Sequence, residues 1–166
     1  MDNFNWRPMR ANDLDGVVAV AASAFPGHFE SRACFEERLR LFPQGCFALA
    51  ATDTVKGYLI TYPWPLGAIP PLNSLIGKLP ERRDALYLHD LALHPDMRGQ
   101  GQVRPILERL VRDTRAMGIP AIALVSVNDT AAFWQAMGFQ PAPDDDAIGR
   151  KLHSYGDGSV YMIREL

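Results

Sequence analysis

The 166-residue chain predicts a single α/β (α+β) domain with a mixed sheet flanked by helices. Three observations predict it. Short β-patterned runs alternate with amphipathic helical runs; residues 85–127 read as strand–helix–strand, which demands parallel neighbours and a right-handed crossover; and the length suits one hydrophobic core rather than two.

Taken in order, residues 4–9 read as a first strand. Asn12 or Asp13 then caps a helix whose apolar positions Leu14, Val17, Val18, Ala21 and Phe25 recur at helical spacing, ending in FPGH. A second helix spans about 31–42, buries Phe35, Leu39 and Phe42, and is stopped by Pro43. Two strands follow at about 46–51 and 56–61, with TDT as the hairpin loop. Residues 62–80 hold five prolines and two glycines, which forbid regular structure through most of the segment. Yet Trp64, Leu66, Ile69 and Leu72 make it apolar, so it reads either as a lid or pocket wall or as a loop packed over the core. A buried strand at 85–93 leads through RGQG into the clearest helix, where Val103, Ile106, Leu107, Leu110, Val111 and Met117 share one face. Gly118 and Pro120 stop it. AIALVSV makes the next strand, NDTAAFWQAMGF a short helix closed by Gly138, and SVYMIREL the last strand.

Composition narrows the function. Apolar residues are 48%, charged residues 22%, and the formal net charge is −2. That balance, without a basic tail, argues against a nucleic-acid partner that works by phosphate neutralisation. Cys34 and Cys46 lack metal-ligand spacing to a histidine and read as reduced core thiols, with no metal expected. The N-terminus has no signal-peptide pattern, and residues 17–25 fall far short of the ~20 needed to span a bilayer, so a cytoplasmic protein with no membrane partner is expected.

The loop at 98–101 places glycines at a helix entrance, where they carry an entropic cost. A helix N-terminus offers unpaired amides and partial positive charge, and glycines let a ligand reach the backbone, which together suit a phosphate or pyrophosphate. Arg98 and Arg104 add charge-assisted contacts. A Walker loop is excluded because no Gly-Lys-Ser/Thr is present, and a dinucleotide fingerprint because Arg104 stands where its third glycine belongs.

LHDLALHPDMRGQGQV resembles the acetyl-CoA motif of the GNAT N-acetyltransferase superfamily: a strand ending in Leu91-Ala92-Leu93, then His94-Pro95, then Arg98-x-x-Gly101-x-Val103. VNDTAAFWQAMGF is similar to the family's second motif, and the resemblance covers roughly residues 4–141. It implies one N-acetyltransferase domain over 1–166, with a central mixed, mostly antiparallel sheet, splayed central strands and about four helices. It also implies that Leu91, Ala92 and Leu93 bind the pantetheine arm of acetyl-CoA, often beside a bulge. The loop Arg98, Gly99, Gln100, Gly101, Gln102, Val103 and Arg104 would hold the pyrophosphate, Asn128 the pantetheine region, and Phe133 or Trp134 the thioester end. Two departures stand out. Val103 replaces a glycine or alanine, and Trp134 replaces the tyrosine proposed to protonate the leaving thiolate. An indole N–H is no general acid at neutral pH. Tyr155 is the candidate substitute; otherwise it packs at a turn.

Acetyl transfer needs a neutral amine, and taking an alkylammonium of pKa near 10.4 to neutrality at pH 7 costs about 4–5 kcal/mol. His89 is suited to accept that proton, and arylalkylamine N-acetyltransferases, which this stretch resembles, place a proposed catalytic histidine at the matching position. Strand alternation sets Tyr87 and His89 on one face and Asp90, the second candidate, on the other, unless a bulge intervenes. His28 and Glu30 read as a surface loop or as a wall of the acceptor pocket. The expected function is acetyl transfer from acetyl-CoA to the primary amine of a small molecule, in a chain that could form a homodimer; the alternative is a non-catalytic acyl-CoA-binding sensor or interaction protein.

Overall fold

The computed structural model describes residues 3–27, 30–143 and 145–166; His28 lies outside the described residues. In chain order the elements are β1 (Asn5–Pro8), α1 (Leu14–Ala24), α2 (Arg32–Leu41), β2 (Cys46–Ala51), β3 (Thr54–Trp64), β4 (Ala85–Leu93), α3 (Val103–Ala116), β5 (Ala121–Ser126), α4 (Ala131–Ala136), β6 (Gln140–Pro141), α5 (Asp146–Leu152) and β7 (Val160–Glu165). The strands form one open sheet in the order β1-β2-β3-β4-β5-β7-β6. It is antiparallel throughout except where β4 meets β5.

Two irregularities in β4 shape everything that follows. Against β5, its only ladder partners are Leu86 with Ile122 and Tyr87 with Ala123, so the two strands part beyond Tyr87. Against β3, Asp90 faces Ile60 while Leu88 faces Thr61, which leaves His89 as the extra residue of a bulge. The expected alternation therefore fails at this point. Leu88, His89 and Asp90 all border one cavity, although the His89 ring still lies beside that of Tyr87, tilted, with centroids 5.9 Å apart.

The helices follow from their sequences. Asp13, at the start of α1, accepts from the Arg10 amide at 2.7 Å and pairs with Arg7 at 2.7 Å. A Cβ on Gly16 would lie 2.8 Å from the Val55 side chain, so glycine is what lets α1 sit this close to β3. The buried face of α3 is Ile106, Leu107, Leu110, Val111 and Thr114, and Gly118, at φ +72°, ends the helix. The main core joins these faces to Phe47, Leu59, Leu86, Ile122 and Leu124. A second cluster gathers Ile69, Ala85, Ala123, Tyr155 and Tyr161.

β3 runs three residues past its expected end, and β6 and α5 are additions. Helix α5 carries a recognisable cap, with Asp145 accepting from the amides of Ala147 and Ile148 at 2.8 and 3.2 Å. Its seven residues include Gly149 and no buried position, too little periodicity to betray a helix. Ile148 and Leu152 pack only against the second cluster. Cys34 and Cys46 are free and buried. Among the described residues no helix is long and apolar enough to cross a membrane.

Candidate active site

Where β4 and β5 part, a cavity of about 490 Å³ opens, and it runs from the loop before α3 to the end of α1. Of the residues singled out from sequence, Leu91, Ala92, Leu93, Arg98, Gly99, Val103, Asn128, Phe133, Trp134, His89, Asp90 and Tyr155 border it. Gln100, Gly101, Gln102 and Arg104 do not. The Gln100 side chain donates to the Asp96 carbonyl at 2.7 Å, and the Gln102 carbonyl accepts from the Trp6 indole at 2.8 Å. Arg104 borders a separate hollow with Met137 and Arg164.

Gly99 and Gly101 have φ of +72° and +71°, and a Cβ on either would meet nothing within 4 Å. The loop thus needs glycine for its backbone angle, and the space where side chains would stand is open. No side chain caps α3 at Gln102, and Pro105 withholds one N–H, so the amides of Val103 and Arg104 head the helix. That end favours an anion, and Arg98 on the cavity wall adds charge. Val103 packs its branched side chain against the main core. A phosphorylated, partly apolar ligand such as acetyl-CoA fits this arrangement.

The other end of the cavity is acidic and hydrogen-bonded. His89 Nε2 lies 2.5 Å from Glu30 Oε1, and His89 Nδ1 lies 3.0 Å from the Tyr62 hydroxyl. An ionised carboxylate only accepts, so Nε2 carries a proton, while Nδ1 accepts from the Tyr62 hydroxyl in the neutral ring and donates to it in the protonated one. Both ring nitrogens are therefore engaged. Burial alone would lift the Glu30 carboxyl, but the charge of His89, its hydrogen bond and the Arg38 guanidinium hold it below the ordinary carboxylate range. Asp90 accepts from the Tyr58 hydroxyl. Burial pushes its carboxyl up to about 7, with Glu30 adding to the rise and His89 and Tyr58 opposing it.

Glu30 reads from sequence as a surface loop or a pocket wall; its side chain is 7% exposed and lines the cavity. Tyr62 and Arg38 carried no sequence signal. Arg38 is 2% exposed, its guanidinium 5.5 Å from the Tyr62 ring centre, with Nη1 2.7 Å from Glu37 and Nη2 donating to the Ser74 carbonyl at 2.9 Å. Glu37 in turn accepts from the amides of Ile76 and Gly77 at 2.7 and 3.0 Å. These bonds, with Ser31 N–H donating to Asn73 Oδ1 at 2.8 Å, tie the proline-rich segment to α2. Of the four apolar residues singled out in it from sequence only Leu72 reaches the cavity, while Ile69 is buried in the second cluster and Trp64 packs on the main core. The segment is therefore both pocket wall and core cover. The Tyr155 hydroxyl donates to the Pro70 carbonyl, and burial pushes it up to about 12.

The model of the acetyltransferase (GNAT) family matches residues 14–139. Serotonin N-acetyltransferase 2, chloroplastic, from Oryza sativa subsp. japonica is 39% identical over 59 residues, which cover 36% of this chain and 28% of that protein. Among solved structures, the loading GNATL domain of CurA from Lyngbya majuscula superposes with a TM-score of 0.80 at 14% identity, covering 99% of this chain and 98% of that one. The PaiA N-acetyltransferase of Thermoplasma acidophilum, in complex with coenzyme A, gives 0.69 at 13% identity over 99% of both chains. At such identities the likeness is one of fold.

Proposed function

Because the chain belongs to the acetyltransferase (GNAT) family, we propose that it transfers an acetyl group from acetyl-CoA directly to the primary amine of a small molecule. One observation carries this reading. A single cavity joins an anion-favouring helix entrance to a cluster of Glu30, His89 and Asp90.

In this reading Arg98, Gly99 and the Val103 amide at the head of α3 hold the pyrophosphate, and the backbone of Leu91, Ala92 and Leu93, unpaired with β5, holds the pantetheine arm. Asn128, at φ +54° in the turn after β5, and Phe133 and Trp134 on α4 complete the wall. Asp90, titrating near 7, takes one proton from the substrate ammonium. The freed lone pair forms the C–N bond as the C–S bond breaks, the sulfur leaves with its electron pair as the thiolate, and the second amine proton passes to water in the open cleft as the amide forms. Positioning two reactants in one cleft supplies much of the acceleration.

Among the described residues of this wall, no tyrosine hydroxyl is left to protonate the leaving thiolate. Trp134 offers only an indole, and the Tyr155 hydroxyl is given to Pro70. That favours the second reading, an acyl-CoA-binding sensor without turnover. Incubating the protein with acetyl-CoA and a panel of amines while following free CoA separates the two. Amine-dependent CoA release, abolished by Asp90→Asn, is expected. Binding of acetyl-CoA without release across the panel overturns the transferase reading.

A further inference from the structure

An ammonium entering an enclosed, low-dielectric space needs an anion there, since an unpaired buried charge costs several kcal/mol. Glu30 and Asp90 are the carboxylates among the described residues bordering the cavity, and the only cationic side chain among them is Arg98, at the opposite end beside the glycine loop. The cavity wall also includes the apolar Ala24, Phe25, Leu72 and Leu88. Glu30 Oε1 meets His89 at 2.5 Å, and Oε2 accepts from the Asn73 amide at a long 3.3 Å. An ionised carboxylate has about four lone-pair sites, so these partners leave capacity for a ligand in the cavity. His89, by contrast, has both nitrogens committed, to Glu30 and to Tyr62.

We propose that Glu30 determines acceptor specificity by receiving the acceptor as a primary alkylammonium, with His89 as the positioning residue that aims the Glu30 carboxylate rather than the group that touches the amine. This rests on the acetyl-transfer reading and adds to it a charge requirement for the acceptor. The Asn73 amide donates to Glu30 and the Arg38 charge acts on it, so the proline-rich segment shares in setting its position.

Two acceptors of nearly equal shape test it: phenethylamine, cationic at pH 7, and O-benzylhydroxylamine, neutral at pH 7. Their binding to the CoA-loaded protein is measured by calorimetry, alongside kcat and KM for each with acetyl-CoA. The unaltered protein binds phenethylamine the more tightly. Glu30→Gln weakens phenethylamine by at least about tenfold, the scale of a lost charge-assisted hydrogen bond, and leaves O-benzylhydroxylamine and acetyl-CoA within about twofold. Glu30→Asp keeps the preference in part. His89→Gln raises KM for phenethylamine more than it lowers kcat. An unchanged preference in Glu30→Gln overturns the proposal, as does binding of neither acceptor by the unaltered protein. If Glu30→Gln no longer binds acetyl-CoA, the comparison passes to Glu30→Asp, whose undiminished preference and affinity would likewise overturn it. Because the readout is equilibrium binding, absence of turnover alone refutes the acetyl-transfer reading without deciding the role of Glu30.

Discussion

Replacing Asp90 by asparagine separates what the site does for stability from what it does for chemistry. The carboxyl rises from an ordinary 3.8 to about 7 because burial penalises its charge, with Glu30 adding repulsion while His89 and Tyr58 give back part of the cost. Between those two values the folded protein holds a proton that the unfolded chain has lost. Stability therefore falls as pH rises through this window, and the loss is complete above about 7. At about 1.4 kcal/mol per pH unit the ceiling is about 4 kcal/mol; water in the cavity lowers it. Asparagine keeps the shape and can accept from Tyr58, but it carries no charge. Urea unfolding of both proteins at pH 5 and pH 8 is expected to show the variant gaining on its parent by roughly 2–3 kcal/mol over that interval. The same variant loses about 10²–10⁴ in kcat/KM, together with the fall in rate below pH 7 that protonation of Asp90 imposes. A stability gap that is the same at both pH values refutes the assignment of that charge to Asp90.

Other substitutions probe the rest of the architecture. Glu37→Ala strands the buried Arg38 and frees the Ile76 and Gly77 amides; a loss of about 3–5 kcal/mol is expected in denaturant titrations. Tyr155→Phe removes the bond to Pro70 and costs about 1 kcal/mol, while kcat stays within about tenfold, below the 10²–10⁴ of a lost general acid. Gly101→Ala meets no neighbour but must hold φ near +71°, costing about 1–2 kcal/mol and weakening acetyl-CoA in calorimetry.

Much of this molecule is written locally. The period of α3 and the run of β4 are set by residues close in the chain, so their bounds could be read directly. The two family motifs likewise named the wall residues from Leu91 to Leu93 and Asn128. The α5 helix escaped because a seven-residue segment with a glycine inside it and no buried face has no period to read.

What only the tertiary structure decided is the end of the cavity around His89. A bulge at His89 breaks the alternation that local pattern predicts, and it exists because the β3 ladder skips a residue there. Glu30 is 59 positions from His89, and Arg38 reaches Tyr62 from another element. Periodicity reports which face of an element is apolar; it says nothing about which polar groups distant elements bring together. The sequence by itself determined the fold and the helix entrance that suits a pyrophosphate. Folding decided that His89 is enclosed between a carboxylate and a phenol, because its partners come from segments whose own patterns do not refer to it.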